Sequence, residues 1–196
     1  QKPLPKGAEI SVPTGKSAAK SLSKPQGGNN MNYIVCVDKN WGIGKGGDLL
    51  FSLPSDMKFF RETTSGKTVV MGRKTLLSLP GGRPLKNRRN IVLTRNKDFR
   101  CDGAEVVFSV EQLFKIIDKN NGDVFVMGGA EIYNALYNFC KTAYITKVAD
   151  DGGADVFIKN LDREPNWKLS KESDPIKENG HEFVFCTYEN LEPEEI

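Results

Sequence analysis

Asp56 lies in the stretch LLFSLPSDMKFF, residues 49–60. Ser52 and Pro54 mark a helix start. On that helix Leu53, Met57 and Phe60 share one face with Asp56, while Lys58, Arg61 and Glu62 point elsewhere. A carboxylate in an apolar stripe is costly unless it is paired. Two readings are open: a first-turn acid serving the helix dipole and its free N–H groups, or an acid facing a pocket that receives a cationic or N–H-rich ligand. Three other places carry chemistry. VVMGRKT (69–75) sets Gly72, Arg73, Lys74 and Thr75 where a strand-like run gives way to a helix start, a combination suited to phosphate. IVLTR (91–95) delivers Thr94 and Arg95 at a strand end, and VFVMGGAEIY (124–133) puts Gly128 and Gly129 between a strand and a helix, where a ligand can approach the backbone closely. Each alone also reads as an ordinary turn, and GGAEIY is not the GxGxxG fingerprint. Three such ends in one small domain point to a phosphate-bearing cofactor, with Asp56 serving a second ligand.

The elements that must position these residues alternate. Apolar, β-branched runs at 33–37, 67–71, 90–94, 104–108 and 123–127 suit strands buried on both faces of a parallel sheet. Helical patterns fall at 53–63, 73–78, 110–119 and 130–138. From 143 onward only strands follow, in AYITKVA, NWKLS and EFVFCTYE, which predicts an antiparallel edge on an α/β sheet. Ligands of such sheets gather where strands end.

The chain has 196 residues, 38% hydrophobic and 27% charged, enough for one domain with a real core. No apolar run approaches a membrane span, and no signal-type segment opens the chain; a cytoplasmic protein is expected. The net charge of +3 is uneven. Residues 1–30 hold five lysines against Glu9, a net +4, which leaves −1 for the rest. That Pro/Gly/Ser/Lys-rich tail predicts disorder, as an appended segment with natural synthesis starting at Met31. TGKS at 14–17 lacks the upstream glycine and strand of a phosphate loop, and five lysines without arginine or interleaved aromatics make a weak nucleic-acid arm. The four cysteines form no CxxC pair, so no metal site is expected. Cys36 and Cys186 read as buried free thiols of a reducing compartment. The single histidine, His181 in the polar ENGHE, reads as a loop residue.

VCVDKNWGIG, LPSDMKFF, VVMGRKT, RPLKNRRNIVLTR and VFVMGGAEIY, in this order and spacing, resemble the dihydrofolate reductase family of bacterial type. The resemblance covers 31–196 and excludes the tail. It implies a mainly parallel eight-stranded sheet with an antiparallel C-terminal edge and four helices, and hydride transfer from NADPH to 7,8-dihydrofolate. It places Asp56, Thr146, Phe51 and Leu49 at the reaction centre, with Asp56 binding the pterin's N–H groups and sharing a hydrogen bond with Thr146. Ile34 and Met127 would offer carbonyls to the pterin. Val35, Cys36, Met57, Phe60, Leu79, Leu85 and Tyr133 would line the substrate side, and Arg88 would grip the glutamate carboxylate. For the cofactor it implies Cys36, Ile43, Gly44, Gly72, Arg73, Lys74, Thr75, Leu93, Thr94, Arg95 and the run Met127, Gly128, Gly129, Ala130, Glu131, Ile132 and Tyr133. Antifolate inhibitors, a monomeric state and no nucleic-acid or membrane partner are expected. Departures are Leu50-Phe51 in place of the usual Pro-Trp, two extra residues within 79–84, and Cys36 where some relatives have alanine. The rivals are the riboflavin-pathway reductase of the same fold, against which LPSDMKFF and Arg88 argue, and a binding protein without turnover.

Overall fold

The computed structural model describes residues 30–117 and 122–196. The tail, the TGKS match and the last residues of the expected 110–119 helix lie outside these. Six strands run parallel: β1 (Met31–Val37), β3 (Thr68–Gly72), β4 (Arg89–Leu93), β5 (Glu105–Val107), β6 (Val124–Val126) and β7 (Thr142–Val148). Across the sheet they stand in the order β7-β1-β6-β3-β4-β5. β11 (His181–Asn190) pairs antiparallel with β7. Its other edge receives β9 (Trp167–Glu172) along 186–190 and β10 (Ile176–Glu178) along 181–183. These two short strands are successive pieces of one edge, split at Ser173–Pro175. Ser173 donates its N–H to the Phe185 carbonyl and accepts the Phe185 N–H on its hydroxyl, both at 2.9 Å, and Pro175 has no N–H to continue the ladder. The expected eight-stranded path is therefore present, with its last edge interrupted.

The strand period of two sorts the core into two faces. Tyr33, Val70, Ile91, Val126 and Ile145 face one side, covered by α3 (Val110–Ile116) and α4 (Ala130–Leu136) through Leu113 and Leu136. Ile34, Val69, Met71, Val92 and Phe125 face the other, covered by α2 (Arg73–Ser78) through Leu76. α1 (Pro54–Thr64) lies on this second side too, inserting Leu53, Phe59 and Phe60.

Three expectations need correction. Met57 is 51% exposed; the inward aromatic is Phe59, whose ring lies 4.7 Å from that of Phe185. The helix start expected at Ser52 and Pro54 is present, with Leu53 at the N-cap position and Pro54 at the first helical position, where a missing N–H costs nothing. His181 is not in a loop, because Asn179 and Gly180, both at positive φ, make a two-residue hairpin turn and His181 opens β11. Of the thiols, Cys186 is buried but Cys36 only half-buried; both are free. A small second sheet, β2 (Gly42–Gly44) with β8 (Val156–Phe157), has no signal in the sequence periodicity.

Candidate active site

Asp56 projects from the first turn of α1 onto the sheet face that carries Ile34 and Cys36. Thr146 of β7, 2% exposed, points to the same face and donates its hydroxyl to Asp56 Oδ1 at 2.6 Å. Thr146 is in register with Cys36 on one side and Phe185 on the other, so the acid sits over β7, flanked by β1 and β11. Burial raises the Asp56 carboxyl above its ordinary value; the Thr146 bond opposes this and the charge of Glu178 adds to it. Burial likewise pushes the neighbouring Cys36 thiol well up, with Asp56 contributing, so it stays neutral.

Beside this acid the strand ends form a glycine cradle. Gly72 ends β3 and donates to the Gly128 carbonyl at 2.8 Å, and the Gly128–Gly129 peptide is cis. A Cβ on Gly72 would meet Ile132 at 3.1 Å; one on Gly128 or Gly129 would meet the Thr75 hydroxyl at 3.5 Å. Gly128, at φ +127°, also adopts backbone that side chains disfavour. Tyr133, in the first turn of α4, is buried and donates to the Ile34 carbonyl at 2.7 Å, which ties the cradle to β1. Leu93 is buried at the end of β4. Arg73 and Thr75 are half-buried, Lys74 is exposed, and Thr94 accepts from the Asn96 N–H. Arg73 has no side-chain partner among the described residues. Arg95 pairs with Glu131 at 3.2 Å on the surface.

The turn between β1 and β2 and the loop from β2 to α1 flank the acid, the loop through Phe51, which joins the cluster that holds Cys36. Asp38, 2% exposed, accepts from the N–H groups of Asn40 and Gly42 at 2.8 Å and of Gly152 at 3.1 Å. Gly42 admits no side chain, since a Cβ would lie 2.2 Å from that of Ala154. Ile43 and Gly44 are half-buried, and Leu49 is 71% exposed. Leu50 and Phe51 pack on the backbone of Gly152, and the Phe51 ring meets His181 edge-on at 4.9 Å. His181 in turn contacts Asp150 at 2.6 Å.

At the far end of α1, Arg88 donates to Thr64 Oγ1 and the Lys86 carbonyl, both at 3.0 Å, with its guanidinium 6.0 Å from the Phe60 ring. It meets no carboxylate among the described residues, and burial, then Arg61, lowers its pKa. Arg89 is committed elsewhere, forked on Glu105 at 2.6 and 3.0 Å and bonded to the Ile116 carbonyl. Leu79, Leu85, Phe60 and Met127 pack on the same side of the sheet. Val35 is turned the other way, onto the opposite core, so only its backbone reaches this face. Glu178, Asp38 and His181 are the contributors that motif reading missed. The Asn179-Gly180 pair was the available signal for the hairpin that places two of them.

The open α/β sheet thus carries a half-buried acid and a glycine cradle near the ends of its parallel strands. The family model described as dihydrofolate reductase matches residues 30–190. The dihydrofolate reductase of Bacillus subtilis is 37% identical over 161 residues, covering 81% of this chain and 94% of that one. That of Staphylococcus haemolyticus is 34% identical over 165 residues, covering 82% and 96%. The solved dihydrofolate reductase from Enterococcus faecalis, complexed with NADP(H) and RAB-propyl, superposes with a TM-score of 0.74 at 32% identity, covering 82% of this chain and 95% of its own. The chain belongs to the dihydrofolate reductase family, the NADPH-dependent reductases of 7,8-dihydrofolate.

Proposed function

We propose that Asp56 is the acid that binds the pterin and that Thr146 holds its carboxylate in place. The observation that carries this is the 2.6 Å bond between them, in a half-buried position where a charge serving the helix dipole alone would more readily face solvent. In this reading the pterin takes the backbone carbonyls of Ile34 and Met127, and Leu79, Leu85 and Phe60, which pack on the same side of the sheet, supply its apolar wall. Arg88 takes the glutamate carboxylate: it is held by neutral partners and keeps its charge free of a carboxylate, whereas Arg89 is engaged.

The residues fit NADPH. The glycine cradle leaves room that a Cβ would fill, and Arg73, without a side-chain partner among the described residues, lies beside Gly72 for a phosphate. Thr75, Thr94 and Arg95 flank it. NADPH supplies the hydride. This chain orients the two rings and stabilises a proton on pterin N5 through the Asp56 charge. The proton reaches N5 from solvent through the 44–51 loop. Phe51 keeps an apolar wall but has no indole N–H to hold a water.

The reductase domain is residues 31–196, acting as a monomer that antifolates inhibit, in the cytoplasm; four free cysteines suit a reducing compartment. Loss of the reduced-nicotinamide absorbance on mixing the protein with NADPH and dihydrofolate tests turnover. Binding of both without loss would indicate a binding protein.

A further inference from the structure

The hairpin joining β10 to β11 brings two adjacent side chains against the start of α1. Asn179 Nδ2 donates to the Ser52 carbonyl at 2.8 Å, just before the helix. Glu178 accepts from Ser55 twice, from its N–H at 2.9 Å and from its hydroxyl at 2.5 Å. The N-cap residue, Leu53, offers no side-chain acceptor. A carboxylate from a distant strand therefore fills the role that Ser, Thr, Asp or Asn ordinarily fills locally.

Capping alone does not call for this charge. A neutral oxygen caps a helix as well, and the residue after Ser55 is Asp56, whose own charge burial already penalises. A second negative charge beside Asp56 makes any proton in the site more tightly held. We propose that Glu178 is a positioning residue of the reductase reaction: clamped on Ser55, it fixes the helix end that carries Asp56 and adds the negative charge that holds the proton at the Asp56–pterin pair. This rests on the reading of Asp56 as the pterin-binding acid.

Of the other groups nearby, Asp38 is committed to the N–H groups of Asn40, Gly42 and Gly152. Thr146 faces Asp56 from β7 as a donor, and Cys36 of β1 and Tyr133 of α4 are kept neutral by burial. His181 is the cross-strand register partner of Glu178, but its ring is turned to Asp150 and Phe51. Lys177 pairs with Glu182 at 3.5 Å, on the same hairpin.

The test uses the full chain with Glu178→Gln, which keeps an acceptor for Ser55 and removes the charge, and Glu178→Asn as a second neutral variant. With saturating NADPH and dihydrofolate, the fall of kcat with rising pH is expected to begin at lower pH in both variants than in the parent. In the ligand-free protein the 13C signal of the Asp56 carboxyl is expected to titrate at lower pH. His181→Asn is expected to leave the difference between parent and Glu178→Gln intact. A lowered Tm with unmoved kcat profile and unmoved Asp56 titration would make Glu178 a helix cap alone and overturn the proposal. Failure of the underlying reading shows differently: Asp56→Asn would then retain the parental kcat.

Discussion

Thr146 on β7 donates a 2.6 Å hydrogen bond to Asp56 on α1, ninety positions away in the chain. The bond lowers the carboxyl's proton affinity against the rise caused by burial. Thr146→Val keeps the shape and removes the donor. The Asp56 carboxyl is expected to titrate at higher pH, and dihydrofolate to bind about 10-fold more weakly at neutral pH, the lower end of the ~1.5–3 kcal/mol range for a hydrogen bond to a charged group. Titration calorimetry at pH 7 checks this; unchanged affinity would mean that Thr146 only packs.

Asp56 is expected to be held at the expense of stability. Its folded pKa is raised, so the folded protein binds this proton more tightly than the unfolded chain does. The ionised group therefore opposes folding at pH above the raised folded value. That opposition fades as pH falls through the folded value and is gone below the unfolded one, about 3.9. Ligand-free Asp56→Asn is expected to melt higher than the parent at pH 7, and the gap to shrink on acidification. Each ~1 kcal/mol would read as roughly 2–4 °C in a chain of this size. Thermal scans from pH 7 to pH 4 without ligands decide it.

Arg88 and Arg89 are neighbours with opposite employment. Arg88→Ala is expected to weaken dihydrofolate binding by about 1.5–3 kcal/mol, and to leave a pterin lacking the glutamate almost unaffected. Arg89→Ala is expected to lower Tm instead, because it strips the fork from Glu105 and a bond from the Ile116 carbonyl. The reverse pattern in substrate affinity would shift the assignment by one residue.

Cofactor choice is expected to follow Arg73 and Arg95. Arg73→Ala should raise the KM for NADPH by about 10-fold or more, on the scale of a charge-assisted contact. Arg95→Ala should do less, since that side chain already spans to Glu131. Neither should change the KM for NADH appreciably. Equal effects on the two cofactors would remove both residues from phosphate recognition.

The sheet was legible in the sequence because its strands are buried on both faces and so read as continuous apolar runs; α2 was read at its observed bounds. Asp56 stood out for the same reason, an acid where the period demanded an apolar residue. Elements too short to show a period left no such trace. β2 and β8 are three and two residues long, and pair with each other outside the main sheet. Met57 was placed on the inner face by helical period, but the face is set by where α1 meets β7 and β11, and Phe59 takes that contact. Glu178 was invisible as a site residue because no spacing in the sequence links it to Asp56, 122 positions earlier. Only the chain reversal at Asn179-Gly180 and the pairing with β11 bring it to α1.

The central claim is that Asp56 acts through its charge on the pterin proton, and the pH dependence of kcat for Asp56→Asn with saturating NADPH and dihydrofolate tests it most directly. The variant keeps the shape and the Thr146 contact but lacks the anion that stabilises protonated pterin. The predicted result is a large fall in kcat at pH 7 with partial recovery as the pH is lowered and more substrate arrives protonated. A variant as fast as the parent at pH 7, or one whose deficit stays the same at every pH, would contradict the account and return Asp56 to the role of a first-turn helix acid.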